Sequence, residues 1–494
     1  MILCFICDIH LPYTKSSIQH VAFDWIFDFI KKGREDVVIF AGDFTANGDV
    51  NAANYFKNRI KELEVPTIVM TGNSDLRTPE NIDYIQSMRT PSYNVIDGQV
   101  IYTVDDSTGQ ISSQTLDKLY SLDKNAIVVL HHPIEDLYEP SKSLMVKWRE
   151  SHPENVLFCA HEHISKVIGN TIYLQALDPD KAIGNGPSIT HYDTETKIVS
   201  NGLFISLAPK DIFDYIGISC FYPMEDIQYA RENNIKHIEL RDTVIEYNLD
   251  DISFEIEKWR KSGGKSLSMH APEVTYEDAI KGISDKWEKF THMAAMLNAD
   301  RITLHVPKAS VRCIRENPEN MNCIIKFLKK YFSKLNPACV IGVENMHMTS
   351  ADKPDDTRRF GYIPEEVIEF MELLSKSVDQ NVGVNFDTGH ARNNAPFSQK
   401  YNIGAWFEEI GKHTVGYHIH QVTYEGGKFS NHMPIDHPYG KLISLASLFD
   451  CWDRGMINKV PIICEIRGDG SQGAYKSTIE MFNRIKKFRC GDDD

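Results

Sequence analysis

Long apolar runs are missing from this chain. None approaches the ~20 residues that a membrane-spanning helix needs, and the apolar start at Met1 is not followed by a basic leader or a cleavage-type segment. These absences make no membrane partner and a cytoplasmic location the expectation. A basic excess is missing as well: 69 acidic residues face 53 Lys and Arg, for a net charge of −16 at pH 7. Binding to long nucleic acid draws mainly on electrostatic attraction to phosphates, so an acidic chain argues against that partner. A small phosphorylated substrate fits better. A disulfide framework is also lacking, although ten cysteines are present. Cys4 and Cys7 form a Cys-x-x-Cys inside an apolar run, where alternation puts them on opposite strand faces and argues against a redox or zinc role. Cys159, Cys220 and Cys464 also sit in apolar segments, a usage that suits a reducing compartment. Internal repeats and low-complexity tracts are absent, and nothing in the pattern speaks of oligomeric state.

What is present is enough apolar residue for two ordinary domains. The chain has 494 residues, 42% hydrophobic and 25% charged, which is too long for one domain and typical of globular proteins. A break falls around Gly202–Asp211, at Leu207-Ala-Pro-Lys-Asp, whereas Gly184-Asn-Gly-Pro reads as a turn inside the first domain. The domains are therefore expected at 1–205 and 211–488, with the tail Cys490-Gly-Asp-Asp-Asp frayed.

Five short stretches in the first third concentrate carboxylate, imidazole and amide groups. They are Asp8-Ile9-His10, Gly42-Asp43, Gly72-Asn73, His131-His132-Pro133 and His161-Glu162-His163. Each lies at or just after a strand-like run: Met1–Cys7, Val37–Ala41, Thr67–Met70, Ala126–Leu130 and Asn155–Cys159. Strand ends converging on one sheet edge can aim these groups at a common point. The donor mixture suits Mn, Fe or Zn better than Ca. Two such ions about 3.5–4 Å apart can activate water and clamp a phosphoryl oxygen.

The order of these motifs resembles the calcineurin-like metallophosphoesterases over roughly residues 1–205. The resemblance implies a four-layer α/β/β/α sandwich with two metal ions. Asp8, His10 and His163 would hold one ion, Asn73, His131 and His161 the other, and Asp43 would bridge them, with Asp43 and Asn73 also serving catalysis. Two positions depart from the family pattern. Ala160 stands where a glycine is usual, and Ser74 stands where many members carry a histidine that protonates the leaving group. The site should then prefer a better leaving group, or take the proton from His132 or a water.

The rest of the chain alternates apolar strand-like segments with amphipathic helical ones, the rhythm of βα units around a parallel sheet. Strands are expected at Tyr215–Cys220, His237–Leu240, Ser266–His270, Arg301–His305, Val340–Glu344, Val382–Asp387, Val415–His420 and Ile462–Ile466. Helices are expected at Met224–Asn233, Asp278–Leu297, Pro364–Ser377 and Leu442–Asp450. This spacing predicts a (β/α)₈ barrel, so the whole chain is read as α/β with two domains. His270, His305, Glu344, Asp387 (with His390), His418 and Glu465 fall at successive strand ends, on the rim where barrel active sites form. Buried carboxylates facing one another would repel and protonate unless a cation neutralised them.

These rim residues resemble the xylose-isomerase-like barrels, which include endonuclease IV and sugar epimerases and isomerases, over about 211–488. The resemblance implies that Glu344, Asp387, His418 and Glu465 hold a metal. It further implies that His270, His305 and His390 match the three-zinc phosphodiesterase centre of the endonuclease IV branch. That branch also carries an Asp-x-His after the seventh strand. Here His432 or His437 can take the histidine's part, and if it is His432, Ser430 replaces the aspartate. One to three ions (Zn, Mn or Fe) are expected in the barrel and two (Mn, Fe or Zn) in the first domain. His420 reads either as a ligand or as a hydrogen-bonded neighbour of the ligands, and Glu239 and Arg241 either line the site or form an ion pair. Phe386, Trp406 and Tyr417 read as core, and so do the strand histidines His191 and His237. The expected function is a bifunctional metal-dependent phosphoesterase that takes a small phosphodiester to its monoester and on to phosphate, with Glu344 and Glu465 as ligands that double as base. The alternative keeps the first domain and makes the barrel a sugar or sugar-phosphate isomerase or epimerase. A third reading makes the barrel a binding module.

Overall fold

Both parities of the first strand are apolar, and this decides how the first domain is layered. In this computed structural model the described residues are 1–183, 186–205, 209–349, 352–392, 394, 396–425, 428–434, 445–466 and 480. Residues 184–185 of the expected turn, 207–208 of the expected break, Asp436, His437 and the tail from Cys490 lie outside them. The chain divides into two units, Met1–Ser206 and Leu207–Asp494.

The first unit contains β1 (Ile2–Ile6), β2 (Val37–Ala41), β3 (Thr67–Met70), β4 (Tyr93–Ile96), β5 (Gln99–Thr103), β6 (Ile127–Leu130), β7 (Val156–Cys159), β8 (Lys166–Ile168), β9 (Thr171–Tyr173), β10 (Ser188–Asp193) and β11 (Val199–Leu203). One sheet has the order β11-β10-β1-β2-β3 and the other β4-β5-β6-β7-β9-β8. The pairs β1–β2, β2–β3, β5–β6 and β6–β7 are parallel, so the strands that carry the sequence motifs run alongside one another within each sheet. Leu3, Phe5 and Cys7 point between the sheets, where Phe5 stacks on Phe158 with ring centroids 3.9 Å apart. Cys4 and Ile6 point the other way, against Phe23, Ile26 and Phe27 of the helix Ile18–Lys32. The far face of the second sheet is covered by Leu116, Leu119, Met145 and Trp148 from the helices Ser113–Tyr120 and Ser141–Ser151. The layers are therefore helix, sheet, sheet and helix, and the opposed faces of Cys4 and Cys7 follow from strand alternation.

The second unit contains β12 (Ile216–Cys220), β13 (His237–Leu240), β14 (Ser266–His270), β15 (Arg301–His305), β16 (Val340–Glu344), β17 (Val382–Asp387), β18 (Thr414–Ile419), β19 (Gln421–Glu425), β20 (Lys428–Met433) and β21 (Ile462–Cys464). Strands β12 to β18 close through β21 into an eight-stranded barrel whose paired strands are all parallel. Strands β19 and β20 form a separate hairpin on the connection that leads to β21. Phe386, Trp406 and Tyr417 are fully buried, the first two stacked at 5.1 Å. His237 is held by Ser266 Oγ at 2.7 Å and by the Asp214 carbonyl, and His191 faces Glu35 at 3.0 Å, so both are satisfied packing residues.

The expected helix Asp278–Leu297 is two helices, Tyr276–Lys281 and Asp285–Met296. Gly282 separates them at φ +66°, the left-handed conformation that closes a helix end, and its N–H bonds back to the Asp278 carbonyl. Residues 442–444 of the expected helix Leu442–Asp450 lie outside the described residues, and the helix described there is Ala446–Asp453. Strand β18 stops at Ile419, which leaves His420 one residue past the end of the strand. Among the described residues no helix is long and apolar enough to cross a membrane, and nine cysteines carry free thiols.

Candidate metal centres

At the ends of three of the motif-bearing strands in the first unit, β1, β2 and β7, the chain turns abruptly. Asp8, His10, Asp43, His161 and His163 have φ between +48° and +69°. Residues with a Cβ rarely adopt this region, and holding them there costs about 1–3 kcal/mol each. The turns bring the side chains together. Asp43 Oδ2 lies 3.3 Å from His10 Nε2 and 3.5 Å from His131 Nε2. His163 Nε2 is 3.5 Å from Asp8 Oδ1, and Asn73 Oδ1 is 3.0 Å from His131 Nε2. Ligand atoms of Asp8, His10 and His163 all lie within 4.8 Å of one another, as do those of His131, His132 and His161. Asp43 thus stands between two donor groups, where a bridging ligand belongs.

Neighbouring groups fix the donors in place. His131 Nδ1 donates to the Ala41 carbonyl at 3.1 Å, which leaves Nε2 as the ligating nitrogen. Ser74 donates to Asp43 from both N and Oγ, at 2.7 and 2.8 Å. The serine that replaces the family's histidine is therefore engaged in holding the bridging carboxylate. Asp106 accepts from the N–H groups of His131 and His132 at 3.0 and 2.6 Å, and its Oδ2 faces His132 Nδ1 at 3.4 Å. Asp75 ties the Asp43 and Asn73 loops together by accepting from Thr45 N, Thr45 Oγ1 and Gly72 N. Asp178 faces His10 Nδ1 at 3.3 Å and accepts from Gln19 at 2.8 Å. Burial works against charge on Asp43, but His131 and His10 outweigh it and hold the carboxyl well below its usual range. Burial likewise opposes a charged His131, yet Asp43 and Asp8 raise it to about 10. His161 is lowered to about 4 by burial and by the neighbouring histidines.

In the second unit the strand ends deliver a denser cluster. Ligand atoms of Glu344, Asp387, His418 and Glu465 lie within 4.8 Å of one another, and so do those of His270, His305 and Glu344. Glu344 belongs to both groups. His418 Nδ1 is 2.8 Å from Glu465 Oε2 and 3.2 Å from Glu344 Oε1. His270 Nε2 and His305 Nε2 approach Glu344 Oε2 at 3.3 and 3.6 Å. A third group is formed by His390, His420 and His432. Glu239 and Arg241 line the site: Glu239 Oε1 is 2.9 Å from His418 Nε2, and Arg241 Nη1 is 2.7 Å from Glu465 Oε1. Burial disfavours a charged Glu465, but Arg241, His432 and His418 hold it well below the usual range. The carboxylates are therefore kept ionised by these cations, which answers part of the repulsion expected from the sequence.

The residues fit divalent metal ions, and the fit shows in which atoms lack hydrogen bonds. Buried atoms without a hydrogen-bond partner include Asp8 Oδ1, His270 Nε2, Glu344 Oε2, Asp387 Oδ2, His418 Nε2 and His420 Nε2. Buried polar atoms are normally paired. These six are imidazole nitrogens and carboxylate oxygens of the clusters, which a Zn-, Mn- or Fe-type ion would satisfy.

All the candidate residues read from the sequence within the described chain fall in these clusters: Asp8, His10, Asp43, Asn73, His131, His132, His161 and His163 in the first, and His270, His305, Glu344, Asp387, His390, His418, His432 and Glu465 in the second. His132 sits with His131 and His161, 7% exposed and beside the donors. Asp75, Asp106, Asp178 and His347 were not singled out from the sequence. Asp106 follows the end of β5 and Asp75 follows Gly72-Asn73, so acidic residues just past a strand were the available signal. Asp178 and His347 (4.8 Å from His390, ring to ring) carry none.

Residues 1–165 match the family profile described as calcineurin-like phosphoesterase, and residues 227–485 match the profile described as xylose isomerase-like TIM barrel. A curated relative from Arcobacter nitrofigilis, named probable glycerophosphodiester phosphodiesterase GpdQ, is 30% identical over 140 residues, covering 25% of this chain and 51% of that protein. The match thus spans about half the length of that relative. Among solved structures, a D-tagatose 3-epimerase-like protein is 18% identical over 56% of this chain and 98% of its own, with a TM-score of 0.40. A xylose isomerase domain protein from Planctomyces limnophilus is 12% identical over 56% and 96%, with a TM-score of 0.39. The chain belongs to the xylose isomerase-like TIM barrel family through its second unit, and residues 1–165 of its first unit match the calcineurin-like phosphoesterases.

Proposed function

We propose that the chain is a bifunctional metal-dependent phosphoesterase that hydrolyses a small phosphodiester and then its phosphomonoester product. The observation that carries this reading is a shared carboxylate in each unit. Asp43 stands between two donor groups in the first, and Glu344 belongs to two donor groups in the second. Ions held in pairs supply Lewis acidity and lower the pKa of a coordinated water. Around them the chain's own residues set the geometry. Asn73 and His131 hold one side of the first site, and Asp8, His10 and His163 the other. Ser74 donates to Asp43 from N and Oγ, so its hydroxyl is engaged there and would not serve as the proton donor to a leaving oxygen. His132, whose N–H and ring face Asp106, would supply that proton. In the barrel, Glu344 and Glu465 are held ionised and face the histidine donors, where they can also accept a proton.

The metals proposed are Mn, Fe or Zn in the first site and Zn, Mn or Fe in the second. Free thiols and the acidic balance support a reducing cytoplasmic setting and a small-molecule substrate, with neither long nucleic acid nor a membrane as partner. The test is to compare Asp43→Ala and Glu344→Ala on a panel of small phosphodiesters and their monoesters. One variant should accumulate the monoester and the other leave the diester uncleaved. If either substitution alone abolishes turnover of every diester and monoester, the two-step reading fails. If Glu344→Ala instead spares all hydrolysis but removes deuterium exchange into a sugar, the barrel is an isomerase.

A further inference from the structure

We propose that Arg359 and Lys308 bind a second anionic group, a carboxylate or phosphate, on the phosphoester that the barrel hydrolyses, and that this group displaces their counter-ion Glu273. The inference rests on the reading of the barrel as a phosphoesterase and names the class of its substrate. Two rim segments match in spacing: His270-Ala-Pro-Glu273 after β14 and His305-Val-Pro-Lys308 after the neighbouring β15. Lys308 N donates to the Val274 carbonyl at 2.8 Å, which holds the two segments side by side. Lys308 Nζ is 3.1 Å from Glu273 Oε2, and Arg359 Nη1 is 2.8 Å from Glu273 Oε1. Arg359 belongs to the segment after β16, where Phe360 N donates to the Ala309 carbonyl at 2.9 Å. Gly361 lets that segment approach: it has φ +94°, and a Cβ there would lie 2.2 Å from Val306 Cγ2.

His305 stands between this cluster and the metal donors. Its Nε2 is 3.6 Å from Glu344 Oε2, and its Nδ1 is 4.0 Å from Glu273 Oε1. A substrate whose reacting phosphoryl group lies at the donors can therefore extend a second group past one imidazole to the cluster. The local charge suits an anion, because two permanent cations face one carboxylate in a chain whose net charge is −16. Burial opposes charge on Glu273, but Arg359 and Lys308 outweigh it and hold the carboxyl below its usual range. The two cations differ in kind. The Arg359 side chain is 14% exposed, its Nη2 donates to the Val306 carbonyl at 2.9 Å, and its buried Nε has no hydrogen-bond partner among the described residues. It is a fixed donor with N–H capacity to spare. Lys308 is 60% exposed on a flexible four-carbon stem, an arm that can leave Glu273 and close on an incoming anion.

The test uses the metal-loaded full chain carrying Asp43→Ala, so that the first centre is silent. Its probes are methyl p-nitrophenyl phosphate and the carboxyethyl and phosphonoethyl p-nitrophenyl phosphates, which add one anionic group. The anionic probes should have the lower KM, and the larger effect of the two tells a carboxylate site from a phosphate site. Lys308→Met should raise the ratio of KM for that probe to KM for the methyl probe about tenfold, the low end for a hydrogen bond to a charged group. Glu273→Gln removes the competing carboxylate and should lower the same ratio. Lys308 is exposed, so its substitution is expected to leave the fold intact, and circular dichroism checks this. An unchanged ratio in folded Lys308→Met, or a shift of the same sign in both variants, overturns the inference and leaves the cluster as a clamp on the rim loops. If the Asp43→Ala chain hydrolyses none of the three probes, the reading of the barrel as a phosphoesterase fails and takes the inference with it.

Discussion

His131 illustrates how a single side chain couples metal, proton and fold. Burial disfavours its charged form, but Asp43, Asp8 and Asp106 prevail and raise it to about 10 in the metal-free protein, against about 6.5 for an unfolded histidine. A raised value means that the folded chain holds the proton more tightly. The stabilisation is complete below about pH 6.5 and is lost as pH rises through about 10. Metal-stripped protein should therefore have a lower urea midpoint at pH 10 than at pH 6, and His131→Gln should flatten that slope. Because a ligating histidine must give up its proton, Zn should bind the first site more tightly as pH rises across the same window. At this scale the sequence was legible wherever a donor sat in a strand-end motif. It was silent on Asp178 and on the use of Ser74, because those contacts are made by residues far apart in the chain.

Between residue and molecule stand the elements that carry the donors. The barrel strands were readable because each is a short apolar run with its polar residue at one end. The loop after β16 was not readable, and one buried ion pair holds its far end in place. Arg358 Nη1 and Nη2 donate to the two oxygens of Glu366 at 2.9 and 2.6 Å, and Glu366 Oε2 also accepts from Gly361 N and Tyr362 N. Glu366 lies in the first turn of the helix Pro364–Ser375, so the pair pins residues 358–362 to that helix. Arg358→Met leaves the carboxylate buried without its partner and should cost about 3–5 kcal/mol, as breaking a buried pair does. Denaturant unfolding of the variant measures it. A loss below 1 kcal/mol would show that water replaces the arginine. Gly282 makes the complementary point: the amphipathic pattern runs on through 278–297, and only the left-handed glycine ends the first helix.

At the scale of the whole chain there are two cores and two sets of metal donors. Each unit should then have its own thermal transition in calorimetry, and each should be raised by Zn through binding to the folded form. Asp43→Ala is expected to remove the Zn-dependent rise of one transition and leave the other. A single transition that responds as one to this substitution would show that the units unfold together.

Sequence alone determined the two fold types, the motif-bearing strands and the donors at their ends. Those features are local: the alternation of apolar residues decides the strand, and the strand's end decides which side chain faces the sheet edge or barrel rim. Tertiary structure decided the rest. It placed His418 with Glu344 and Glu465 but grouped His420 with His390 and His432, a division two residues wide that no spacing rule distinguishes. It also assigned Ser74 to Asp43, Asp106 to the His131–His132 turn and Arg241 to Glu465. These pairings depend on distances between loops that meet only when the sheets pack and the barrel closes.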